Sequence, residues 1–99
     1  MTVYGIAQFN ITDRASYDRY AAAFAPVLRQ YGGSLLVADD DAEVVEGSWD
    51  AERIVVLAFE DKASFRAWYD SPEYQAIVGD RLAGSHGPVV LARGIPQRR

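Results

Sequence analysis

Three runs of this chain, Leu35-Leu36-Val37, Ile54-Val55-Val56-Leu57 and Val89-Val90-Leu91, are apolar at consecutive positions. Neighbouring side chains on a strand point to opposite faces, so each run wants apolar cover on both sides. What else the chain can build decides where that cover comes from.

Residues 3–11 predict the first strand, with Val3, Gly5, Ala7, Phe9 and Ile11 on one face and Tyr4, Ile6, Gln8 and Asn10 on the other. Asp13 is placed to cap a helix. From there Tyr17, Tyr20, Ala21, Phe24, Val27, Leu28 and Tyr31 recur at three- and four-residue steps, and Gly32-Gly33 supplies the stop. Pro26 interrupts this pattern at a cost of about 3 kcal/mol for a helix interior. The stripe continues through it, which favours a kink near Ala22 over two separate pieces. Residues 34–38 predict a short strand, Asp39-Asp40-Asp41 a turn, residues 42–49 its partner, and residues 53–59 the most strand-like run of all. Asp61 can cap a helix bearing Phe65, Trp68 and Tyr69 on one side. Ser71-Pro72 then starts another at once, with Ser71 as cap and Pro72 in the first turn. Tyr74, Ile77, Val78 and Leu82 line that second piece, residues 84–87 end it, and residues 88–94 predict the last strand.

The order is strand, helix, two or three strands, helix pair, strand. It predicts an α+β, ferredoxin-like βαββαβ fold: a four-stranded antiparallel sheet with its helices on one face. The other face is left apolar, on a scale that soluble monomers rarely expose. A second copy packed sheet to sheet is the simplest cover, so the expectation is a homodimer.

Ninety-nine residues make one domain, read as residues 1–95 with a tail at 96–99. There is no cysteine, which removes disulfides, thiolate metal sites and a cysteine nucleophile. The net charge is −4, and the one local basic excess is Gln97-Arg98-Arg99, so no nucleic-acid partner is expected. No basic-then-apolar leader and no run of about 20 apolar residues is present, which points to the cytoplasm and away from a membrane.

Several residues carry candidate chemistry. His86, the only histidine, excludes a multi-histidine metal site within one subunit; it is a candidate general base or haem ligand, or a surface loop residue. Asp39-Asp40-Asp41 lacks the alternation, glycine and later glutamate of a calcium loop and reads as a solvated turn. Glu46 shares a predicted strand face with Val44 and Ser48. Facing inward it would need Arg53 or Arg81 as partner, either as a structural ion pair or as a general base. Tyr17, Tyr20, Phe24, Phe65, Trp68, Tyr69 and Tyr74 sit at core spacing, yet four of these seven are tyrosines, whose buried hydroxyls need partners. A cleft between helices and sheet, lined by them and bordered by Arg53 and Arg81, would suit a flat, partly polar organic molecule. No metal and no cofactor is expected.

Tyr17-Asp18-Arg19-Tyr20, Gly32-Gly33, Val45-Glu46-Gly47-Ser48-Trp49, Arg53-Ile54-Val55-Val56, Trp68-Tyr69-Asp70-Ser71-Pro72-Glu73-Tyr74 and Arg81-Leu82 together resemble domain of unknown function family 1330, within the dimeric α/β-barrel superfamily. The resemblance covers nearly the whole chain and implies a homodimer whose sheets face each other as a barrel. The superfamily also includes cofactor-free monooxygenases of aromatic polyketides, lactone isomerases and haem-binding enzymes. An enzymatic reading is therefore a cofactor-independent monooxygenase or isomerase acting on an aromatic or enolisable substrate, with Glu46, His86 or a tyrosine handling the proton and Arg53 or Arg81 binding an anionic group. Haem-binding relatives carry their histidine on a helix, whereas His86 is predicted in a loop.

Overall fold

The computed structural model describes residues 1–96; the basic Gln97-Arg98-Arg99 end lies outside the described residues. The elements run β1 (Val3–Ile11), α1 (Arg14–Gln30), β2 (Ser34–Asp39), β3 (Arg53–Phe59), α2 (Lys62–Tyr69), α3 (Pro72–Gly84), β4 (Ser85–His86) and β5 (Val89–Arg93). The sheet is antiparallel, with β1 at its centre between β3 and the β4/β5 pair, and β2 outside β3. This is the α+β ferredoxin-like arrangement, with five strands in place of the four expected. The expected last strand is split: β4 pairs with Asn10 and Ile11, β5 with residues 3–7, and Gly87-Pro88 breaks the line between them. Pro88 still accepts the Gln8 N–H through its carbonyl at 3.1 Å.

Local signals set the helix ends. Asp13 accepts the Ser16 N–H and Asp61 the Ser64 N–H. Gly32 adopts φ +79°, and the Gly32 and Gly33 N–H groups bond back to Arg29 and Leu28, closing α1 with the motif that glycine favours. α1 runs unbroken through Pro26, which rules out two pieces; Pro26 and Ala22, whose carbonyl loses its usual donor, both face solvent. Ser71 joins α2 to α3, its hydroxyl donating to the Trp68 carbonyl at 2.7 Å and accepting the Tyr74 N–H at 3.0 Å. Tyr31 donates to Glu73 at 2.7 Å, tying the end of α1 to the start of α3. At the opposite end, the Gly84 carbonyl accepts the Thr12 and Asp13 N–H groups; a Cβ on Gly84 would lie 2.5 Å from the Tyr17 nitrogen, so only glycine permits this approach.

Two expectations need correction. Residues 42–49 form no strand, because β2 pairs directly with β3 and Gly47 takes φ +79°, a backbone that breaks an extended run. Glu46 therefore sits on no strand face; it is exposed in the irregular β2–β3 connection. Leu82 does not line α3, being 65% exposed; Arg81 takes the inward seat instead.

The helices cover the face bearing Val3, Ala7, Phe9, Val55, Leu57 and Phe59, and these join Tyr17, Tyr20, Phe24, Leu28, Phe65, Trp68, Tyr74 and Val78 in one core. The opposite face carries Ile6, Val37, Val56 and Val90, and no helix among the described residues covers it. The extents of 44 × 39 × 17 Å match this: the short axis accommodates a sheet and one helix layer only. The radius of gyration, 14.0 Å, exceeds the roughly 13 Å of a compact 100-residue domain. No described helix is long and apolar enough to cross a membrane.

Candidate functional site

Between the helix layer and the sheet lies a cavity of about 130 Å³. Its floor comes from β1 (Gly5, Ala7, Phe9) and β3 (Arg53, Val55, Leu57), one wall from α1 (Tyr17, Tyr20, Ala21, Phe24, Ala25), and the other from Phe65, Trp68, Tyr69, Tyr74 and Arg81 of α2 and α3. The alternation of β1 aims Gly5, Ala7 and Phe9 the same way, and the three- and four-residue steps of α1 line up its contribution.

The aromatic rings form a continuous lattice. Trp68 and Tyr74 have centroids 4.2 Å apart; Phe24 meets Trp68 edge-on at 6.0 Å, and Tyr20 meets Tyr74 edge-on at 6.1 Å. Polar atoms gather toward the Phe9–Tyr17 end. Arg53 lies directly across from Phe9 in the β1–β3 register; its Nε donates to the Tyr17 hydroxyl at 2.9 Å and its Nη1 to Asp40 at 2.6 Å. The Arg81 guanidinium lies over the Phe9 ring, 5.5 Å from its centre, and donates to the Tyr74 hydroxyl at 3.4 Å.

The Tyr20 and Tyr74 hydroxyls are 2.8 Å apart. Burial raises the pKa of both phenols, against a lowering influence from Arg81, so both stay protonated at neutral pH. The pair holds two protons and uses one between them, which leaves one to donate elsewhere. For Arg53, burial acts to lower the pKa, but the hydrogen bonds to Asp40 and Tyr17 outweigh it and the net shift is upward. Trp68 is 3% exposed and its indole N–H has no hydrogen-bond partner, the one buried side-chain polar atom in that state among the described residues.

All seven residues read from the sequence as ligand-binding candidates, Tyr17, Tyr20, Arg53, Trp68, Tyr69, Tyr74 and Arg81, lie on this cavity. The two catalytic candidates lie elsewhere. Glu46 borders a shallow surface depression with Val44, Trp49 and Ile54, and neither Arg53 nor Arg81 pairs with it. His86 is exposed on β4, opposite Asn10. No carboxylate or imidazole lines the cavity, and no cluster of metal-ligating side chains occurs among the described residues. Sequence reasoning missed the small residues that make the space: Gly5 and Ala7 on the floor, Ala21 and Ala25 on the wall. Their signal was present, since all four occupy inward or stripe-adjacent positions where a close-packed core would carry larger side chains.

The sequence profile of the domain of unknown function DUF1330 matches residues 2–95. No curated protein matches the chain. Among solved structures, a protein of unknown function from Rhodopseudomonas palustris superposes with a TM-score of 0.81 at 14% identity, over 97% of this chain and 84% of that one. A dimeric ferredoxin-like protein of unknown function from a Jannaschia species gives 0.75 at 17% identity, over 95% and 100%. SnoaB, a cofactor-independent oxygenase from Streptomyces nogalater, gives 0.72 at 15% identity, over 97% and 95%. At these identities the likenesses establish the ferredoxin-like fold. With the profile spanning nearly every residue, the chain belongs to the DUF1330 family.

Proposed function

We propose that this protein is a homodimer, each protomer of which binds a small, flat organic molecule in the cavity between its helices and its sheet. The observation that carries the binding role is the space of about 130 Å³ between helices and sheet, walled by the aromatic rings of α1, α2 and α3. The volume suits a ring of modest size, since a cavity of about 150 Å³ holds benzene. The dimer is supported by the uncovered apolar sheet face and by the dimeric assembly named for the Jannaschia protein.

A catalytic reading, cofactor-independent oxygenation or isomerisation, draws on the likeness to SnoaB. The cavity itself favours binding. Its ionisable groups are tyrosines and arginines, and Tyr20 and Tyr74 are made weaker acids by burial, leaving no carboxylate or imidazole to accept a proton from a bound substrate.

The test is titration of the purified dimer with three one-ring probes of different polarity, toluene, phenylacetamide and phenylacetate, followed by ligand-observed NMR. At least one should bind saturably, and Ala25→Phe, which fills the cavity from α1, should abolish it. Failure of all three, or binding unchanged in Ala25→Phe, would overturn the cavity as the site.

A further inference from the structure

We propose that the cavity is built for an organic monoanion, whose oxyanion sits on Arg81 while its flat body lies along the aromatic wall toward Trp68. The inference rests on the cavity being the binding site and adds the class of ligand.

Three positive side chains surround the polar end of the helix layer, and two already have carboxylates. Arg53 is paired with Asp40, and Arg19 with Asp80 at 3.3 Å. Asp80 is the sequence neighbour of Arg81, and its carboxylate is committed to Arg19. Arg81 is only 7% exposed, yet no carboxylate lies within ion-pairing distance of it among the described residues. Its neighbours are a neutral phenol at 3.4 Å and the face of Phe9. A guanidinium cannot shed its proton to escape burial, so a buried one without a counter-charge is held at a cost that the rest of the fold must offset. The cavity is the space it borders.

A carboxylate or phenolate entering the cavity would meet that guanidinium, and the spare proton of the Tyr20–Tyr74 pair is close by, one hydroxyl away. Charge-assisted bonds of this kind are roughly twice as strong as neutral ones. Trp68 supplies a flat ring on the aromatic wall against which the body of the molecule can lie. Net charge agrees locally though not globally: the chain as a whole is at −4, while the cavity's own lining carries two arginines and no acid.

Phenylacetate and phenylacetamide have nearly the same shape and differ in charge, so their comparison is the experiment. The wild-type dimer should bind phenylacetate at least tenfold more tightly than phenylacetamide. Arg81→Met, which keeps length and apolar contact but removes charge, should bring the two together, and Arg81→Lys should restore part of the difference. Equal binding of the two probes to wild type would overturn the charge assignment while leaving the cavity as a site. A preference retained in Arg81→Met would also overturn it, because the anion would then rest on another group. Binding of neither probe nor of toluene overturns the cavity reading and this inference with it. The wild-type comparison decides the matter alone if Arg81→Met fails to fold.

Discussion

The two faces of the central sheet are made from the same strands and similar residues, yet they meet different fates. On β3, Val55, Leu57 and Phe59 are buried under the helices, while Ile54, Val56 and Ala58 between them are only half-buried. On β1 the alternation is as regular: Val3, Gly5, Ala7 and Phe9 are buried, and Tyr4, Ile6 and Gln8 half-buried. The helix face is completed by the chain itself, with a cavity left where small residues oppose one another. The outer face is covered by no helix among the described residues, and Leu36 and Val90 there and at its edge are each more than half exposed. The difference separates two fates of apolar surface: one face holds the fold and encloses a cavity, the other is left open by the protomer's described helices.

Adjacent residues on β3 sharpen the contrast most. Leu57→Ala removes a buried side chain from the helix face and should cost about 2–5 kcal/mol, read as a lower denaturation midpoint. Val56→Lys, one residue away, should leave the far-ultraviolet circular dichroism native and convert the proposed dimer to a monomer at micromolar concentration, as judged by sedimentation. A Val56→Lys protein that stays dimeric would show that the copies meet elsewhere. One that unfolds with the severity of Leu57→Ala would show that the outer face is part of the protomer's own core.

How much of this was legible in the sequence depends on how far each signal reaches. Asp13, Asp61, Ser71-Pro72 and Gly32-Gly33 act on backbone groups a few residues away, and each sets the helix end its chemistry implies. The strand over residues 42–49 failed for a reason outside its own alternation: β2 had already found β3, and Gly47 needed a positive φ. Leu82 and Arg81 exchanged roles on α3, where Tyr74, Val78 and Arg81 face inward. A rule that sends charge to solvent puts Leu82 in the core, and only tertiary placement over Phe9 shows the arginine inside. The aromatic set and a cleft beside it were readable; the residues that open the space were not, because it is made by what Gly5, Ala7, Ala21 and Ala25 lack.

Arg81 permits a test in which binding and stability should move oppositely. In ligand-free protein Arg81→Met replaces a buried, uncompensated cation by an apolar chain, and the variant should melt at or above wild type even as it loses its preference for phenylacetate. A purely structural arginine would show a clear fall in melting temperature. Tyr20→Phe gives the smaller, opposite sign. It removes the 2.8 Å bond to Tyr74 and should cost about 0.5–1.5 kcal/mol, because Tyr74 keeps Arg81 as a partner.

The smallest effect concerns the helix layer alone and is set by pH. Asp13 and Asp61 both have pKa values lowered from 3.8, Asp13 through hydrogen bonds from the Ser16 hydroxyl and N–H, Asp61 through those from Ser64. A folded pKa below the unfolded one means that the unfolded chain binds protons more readily. The stabilisation is therefore fully present above the ordinary aspartate range and is lost as pH falls through the lowered folded values. Asp13 is exposed and Asp61 only partly buried, so the loss should be a modest decline in melting temperature below about pH 4, not a collapse. Asp13→Asn and Asp61→Asn together keep an oxygen for the cap but cannot titrate. The double variant should melt slightly lower at neutral pH and with a flatter acid slope. An unchanged slope would assign the acid sensitivity to Glu73, whose pKa is lowered by the Tyr31 hydroxyl where α1 meets α3.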